Sequence, residues 1–287
     1  MLRYVRKPVV AGYFYPSNRD RLVEIIEWSF KHRIGPGSMP KLSPARDKTT
    51  IGYVVPHAGY MYSGPVAAHA YYDMATHGVP ETIVIIGTNH TGYGKPVSVY
   101  PGGVWETPLG SIKVDEELGK KVVEASELAD LDTYAHLEEH SIEVQLPFLQ
   151  YIYKDKQFQI LPIVMGIHSP EVARDLAKAL ISATRELSRD TVFLASSDFN
   201  HYEPHDVTVD KDMDAINRIL TLDLEGFYNT MIQRDISICG PGGIMVLMEI
   251  ARIMGGKAVL LKHATSGDVQ GGKSAVVGYA SIKFFIE

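Results

Sequence analysis

Short apolar runs alternate along this chain with longer stretches whose apolar positions recur at helical spacing. The runs at 51–55, 82–86, 158–165 and 192–196 predict strands. Residues 97–100, 103–105 and 111–114 read as a hairpin region, and 258–264 and 275–285 as closing strands. Helical spacing covers 21–31, where Leu22, Ile25, Ile26, Trp28 and Phe30 form the apolar stripe. Further helices are expected over 65–75, 116–125, 141–153, 170–186, 210–220, 224–233 and 242–254. Pro147 falls inside 141–153 and predicts a boundary or kink there. Residues 1–20 form an irregular lead-in, and 35–48, rich in Gly and Pro, a loop.

Strands alternating with helices point to an α/β fold, with a mixed or mainly parallel sheet covered by helices on both faces. A single domain over 1–287 is the simplest organisation, since no repeat or low-complexity tract divides the chain.

Composition narrows the functional classes. Hydrophobic residues make up 45% and charged residues 22%, enough for a sizeable core. A net charge of -6 and no run of Lys and Arg argue against a nucleic-acid partner. Cys239 is the only cysteine, so no intramolecular disulfide can form. The first residues carry charge without an apolar core behind them, and no apolar run is of membrane-spanning length. The expectation is a cytoplasmic protein with no membrane partner.

Candidate chemistry gathers at strand ends, where open α/β sheets bind ligands. The first strand leads to His57, the second to His90, and a third to Asp198 and His201. Cys239 stands in Ile238-Cys239-Gly240-Pro241-Gly242-Gly243, just before a helix, where a thiol is biased toward thiolate. Two imidazoles with a thiolate or carboxylate make a recurring open metal site. Each residue also has a plain structural reading, since a lone Cys is most often a small buried hydrophobe.

A second group is Glu139-His140-Ser141-Ile142-Glu143. On a helix His140 and Glu143 share a face and could transfer protons. It is not the HExxH zinc pattern, because the second His is missing. Trp105 and Glu106 could line a cleft or simply make a turn, and Tyr60 and Tyr62 a pocket wall or core. His32, His69, His77, His168, His205 and His263 read as structural or surface residues.

Several segments together resemble the Memo family. They are Ala11-Gly12-Tyr13-Phe14-Tyr15-Pro16, Pro56-His57-Ala58-Gly59-Tyr60, Gly87-Thr88-Asn89-His90 and Trp105-Glu106-Thr107-Pro108-Leu109-Gly110. Farther on come Glu139-His140-Ser141-Ile142-Glu143-Val144-Gln145-Leu146-Pro147, Ser196-Ser197-Asp198-Phe199-Asn200-His201-Tyr202 and Cys239-Gly240. The resemblance implies a fold similar to class III extradiol dioxygenases, with His57 and His90 matching iron ligands and Cys239 standing where those enzymes carry a carboxylate. It implies iron or copper and redox chemistry; zinc is a further option on the chemistry of the thiolate. It also implies pocket-lining roles for Asp198 and His201, with His201 as an acid–base group. A thiolate is softer than a carboxylate and favours copper(I) or zinc, so ring cleavage is not carried over.

Two functions are expected to compete. One is a metal-dependent redox enzyme acting on a small substrate, with His201 or His140 moving protons. The other is a non-catalytic module binding a peptide or small ligand in the same cleft. Nothing in the sequence sets the oligomeric state.

Overall fold

A computed structural model describes residues 4–154 and 156–287. In chain order its strands are β1 (Val5–Arg6), β2 (Thr50–Val55), β3 (Thr82–Thr88), β4 (Val97–Val99), β5 (Val104–Thr107) and β6 (Gly110–Val114). They continue with β7 (Ala129–Leu131), β8 (Gln159–Met165), β9 (Thr191–Ser196), β10 (His201–Glu203), β11 (Lys257–Thr265) and β12 (Val276–Phe285). The helices are α1 (Arg19–Lys31), α2 (Tyr60–Thr76), α3 (Glu116–Ala125), α4 (Leu146–Tyr153) and α5 (Pro170–Glu186). After these come α6 (His205–Leu220), α7 (Leu224–Gln233), α8 (Pro241–Ile253) and α9 (Ser266–Gln270).

The strands form one mixed sheet whose main path runs β1-β5-β6-β8-β3-β9-β2-β12-β10. Its centre, β8-β3-β9-β2, is parallel throughout. These strands are apolar along nearly their whole length because both faces are covered. Alternate side chains feed two cores. Val84, Ile86, Leu161, Ile163 and Phe193 pack with α3, α5, α6 and α8 on one face. Ile83, Ile85, Ile160, Val164 and Leu194 pack with α1, α2 and α4 on the other. The mixed α/β architecture expected from the sequence is therefore present.

Local differences have physical causes. α2 begins at Tyr60, earlier than the expected start, with Pro65 inside it. Pro65 cannot donate to Met61 O, and Gln270 Nε2 donates to that carbonyl instead, at 2.6 Å. The helix expected over 141–153 is an α-helix only from Leu146, preceded by a 3-10 turn at Glu143–Gln145. Pro147 sits in its first turn, where its missing N–H costs nothing. The short strands β1, β7 and β10 lack the length that makes a periodic signal.

Candidate metal centre

Three neighbouring strands deliver the site. His57 follows β2, His90 follows β3, and Asp198 follows β9. Cys239 comes from the connection between α7 and α8, immediately before Gly240, the N-cap of α8. A Cβ on Gly240 would lie 2.6 Å from Ser196 O, so the chain crosses the end of β9 only as glycine. Thr88 Oγ1 then ties β3 to this crossing, donating to Cys239 O at 2.7 Å. His168 supports the tie, with Nε2 3.0 Å from Thr88 Oγ1 and Nδ1 accepting from Gly242 N–H at 3.2 Å.

One ligand-capable atom from each of His57, His90 and Cys239 falls within 4.8 Å of the others. His57 Nε2 is 3.2 Å from Cys239 Sγ. His57 is buried, whereas the His90 side chain is 35% exposed, so the group opens to solvent on the His90 side.

The surrounding hydrogen bonds set the imidazole tautomers. Ser196 Oγ donates its proton to Ser141 O at 2.6 Å and accepts from Gln145 Nε2 at 2.8 Å. His57 Nδ1, 3.0 Å away, must therefore donate to Ser196 Oγ. His90 Nδ1 lies 3.0 Å and 3.2 Å from the two oxygens of Glu139, which in ionised form can only accept. In the neutral form of each ring, Nε2 is the nitrogen left with a lone pair. Histidines that bind metals are commonly oriented in this way, through their second nitrogen.

Glu139 is held firmly. It is buried and accepts the N–H groups of His90 at 2.7 Å, His140 at 2.8 Å and Ser141 at 2.8 Å. Burial pushes its carboxyl up, but the bond and charge of His90, with the Ser141 N–H and His140, bring it down to about 2. His57 is pushed down to about 3 by burial and then by His90, which keeps it in the neutral, metal-competent form. Cys239 is different from its expectation. Burial, then the Asp198 carboxylate, pushes its thiol up, outweighing the hydrogen bonds it receives from the Asp198 N–H and Ser197. A bound cation reverses this balance, since coordination deprotonates a thiol outright. Paired lone pairs, a nearby sulfur and fixed outer partners fit a transition-metal ion.

The other expected residues divide. Asp198 Oδ1 accepts the His57 N–H at 2.8 Å, and the Asp198 N–H donates to Cys239 Sγ at 3.2 Å. Burial raises the Asp198 carboxyl above its ordinary value, partly offset by the His57 N–H, His201 and His140. His201 Nδ1 donates to Ser237 O at 2.7 Å, which leaves Nε2 free. The His140 ring stacks on His90 at 4.5 Å and lies 5.4 Å from His57. It is pushed down to about 4 by burial and then by His57.

Glu143 stands apart from the metal group. The expected His140–Glu143 helical face does not form, because no α-helix spans these residues. Instead Glu143 pairs with the buried Arg6 and accepts from Val9 N at 2.9 Å, Val10 N at 3.0 Å and the Tyr15 hydroxyl at 2.7 Å. His140 lies beside Glu139. Trp105 is buried beneath the Arg6 guanidinium at 4.7 Å and lines no cleft. Tyr60 is core, while Tyr62 is exposed.

Sequence reasoning assigned no role to Ser196 or Thr88 and tied neither Glu139 nor Gln145 to a particular imidazole. All stand within or beside the quoted segments, but only packing shows which imidazole each one serves.

A profile described as "Memo-like protein" matches residues 6–283. The chain belongs to the Memo family. A MEMO1 family protein of Desulfurococcus amylolyticus is 62% identical, over 98% of this chain and 99% of the relative. Those of Ignicoccus hospitalis and Sulfurisphaera tokodaii are 55% and 49% identical, each over 98% of this chain and over 98% and 99% of their own lengths. An uncharacterized Escherichia coli protein of solved structure aligns over 82% of this chain and 99% of its own, at 13% identity and a TM-score of 0.47.

Proposed function

We propose that His57, His90 and Cys239 of this Memo-family chain hold one iron or copper ion, and that the centre performs redox chemistry on a small substrate. The observation that carries this reading is the pair of Nε2 lone pairs, each fixed by a partner on Nδ1, beside one sulfur. When bound, such an ion supplies Lewis acidity and a one-electron couple. A soft thiolate with two imidazoles suits copper, with iron and zinc as the competing occupants.

The chain's own residues would do the rest. His57 is held neutral by burial, and the rings of His57 and His90 are oriented by Ser196 and Glu139. Asp198, whose carboxyl is raised by burial, can hold a proton beside the sulfur. The free Nε2 of His201 is a proton acceptor at the same edge. His140 stacks on the His90 ring and is a second proton carrier.

Elemental analysis after anaerobic purification, from medium supplemented with iron and copper, tests the reading. About one transition metal per chain is expected, as three converging ligands imply. Wild-type protein that neither retains nor rebinds metal, and behaves as His57→Ala does, overturns it.

A non-catalytic module is favoured by a different observation. Tyr202 is 77% exposed, in a left-handed backbone conformation next to His201, and Tyr62 is 42% exposed. Exposed aromatics beside a cleft suit a peptide or small ligand. Peptide binding that survives metal removal, with no oxygen or reductant consumed, would favour the module.

A further inference from the structure

A second opening lies at the other end of the sheet. It is a cavity of about 960 Å³, the size of a small-molecule site. Glu81 and Gln159, at the amino ends of β3 and β8, line it together with Arg189, which precedes β9. The residues of the metal centre follow the carboxyl ends of β2, β3 and β9, so the two sites are on the order of 20 Å apart at roughly 3.3 Å per strand residue.

The charge of this cavity runs against that of the chain. Among the described residues that line it, Arg19, Lys113, Lys154, Lys156 and Arg189 stand against Glu27 and Glu81, three more positive than negative charges in a protein of net charge -6. Both acids are already engaged. Glu27 accepts the Tyr151 hydroxyl at 2.9 Å and pairs with Lys31, and Glu81 accepts the Asp190 N–H at 2.9 Å. Arg189 is held by Asp115 at 3.1 Å and Glu117 at 2.8 Å. Among the described residues no salt bridge engages Arg19, Lys113, Lys154 or Lys156. Cations clustered around one cavity repel one another and concentrate anions. The cavity also has an apolar wall, to which Leu109, Ile112 and Phe158 contribute.

We propose that this cavity binds a small organic phosphate carrying two or more negative charges. Arg19, Lys113, Lys154 and Lys156 would hold the phosphates, and the carbon body would lie on Leu109, Ile112 and Phe158. An extended nucleic acid fits less well, because the adjoining depression carries Asp115, Glu116 and Glu117. The site is independent of the metal reading.

Calorimetric titration of the whole protein at fixed ionic strength tests this, using ADP, fructose 1,6-bisphosphate, inorganic pyrophosphate and adenosine as probes. Expected is saturable binding of at least one of the two organic phosphates, tighter than pyrophosphate and tighter than adenosine. The double variant Lys113→Glu/Lys156→Glu should weaken that binding about tenfold or more, since it places like charge against the phosphates. His57→Ala should leave it unchanged. Circular dichroism confirms that each variant is folded. Lys113→Gln/Lys156→Gln, which removes charge without reversing it, serves should the first pair not fold. The proposal is overturned if neither organic phosphate saturates, or if the folded double variant binds as wild type does. It is likewise overturned if a single-stranded oligonucleotide binds more tightly than ADP.

Discussion

At the residue scale the centre depends on atoms one step removed from the proposed ligands. Glu139 orients His90 and accepts its backbone N–H as well. Glu139→Gln keeps the shape but removes the charge and half the acceptor capacity. Metal affinity, read by competition with a chelating dye, should fall roughly 10–100-fold, the usual effect of losing an outer partner. An unchanged affinity would mean that Glu139 only caps the loop. The buried histidines impose a pH dependence on stability. His136 is pushed down by burial to about 4 from an ordinary 6.5. Between those values the unfolded chain binds more protons than the folded one, so stability rises with pH there and is lost as pH falls. Chemical unfolding across this window should show a shallower pH slope for His136→Gln than for wild type. An equal slope would assign the acid sensitivity to other groups.

At the element scale, strand ends and one helix start set the geometry. β2, β3 and β9 are adjacent and parallel, so the residues that follow them emerge side by side. The turn into α8 places Cys239 only because Gly240 passes close to Ser196 O. Gly240→Ala should cost about 1–3 kcal/mol of stability, through a Cβ forced against backbone. It should also weaken metal binding, because the shift is passed to Cys239. Thermal unfolding with and without metal separates the two effects. A variant as stable as wild type, with the same affinity, would show that this crossing has slack.

For the molecule as a whole, the Arg6–Glu143 pair joins the chain's first strand to the turn ahead of α4. Both partners are buried, and Glu143 also holds Val9, Val10 and Tyr15. Glu143→Gln leaves Arg6 as an uncompensated buried charge, which typically costs about 3–5 kcal/mol. Metal affinity should be unaffected so long as the protein stays folded. Lost metal binding in a folded Glu143→Gln variant would return Glu143 to the site. No helix among the described residues is long and apolar enough to cross a membrane.

Much of the architecture was legible as local pattern. Apolar runs such as 82–86 and 192–196 mark buried parallel strands, because only a sheet covered on both faces tolerates them. The motif at 196–202 and the segments around His57, His90 and Cys239 carried the family, since their residue types and order are specific. Pro147 marked its helix start through its missing donor. Tertiary structure alone decided the rest. His140 and Glu143 stand three apart, but their relation depends on whether the backbone between them is helical, and it is not. Glu139 serves His90 from 49 positions away, and Ser196 serves His57 from 139. The state of Cys239 turns on burial, which depends on what packs around the sulfur rather than on its neighbours in the chain. Residue types and periodicity are local properties of a sequence; hydrogen-bond partners, exposure and charge environment exist only once distant segments have met.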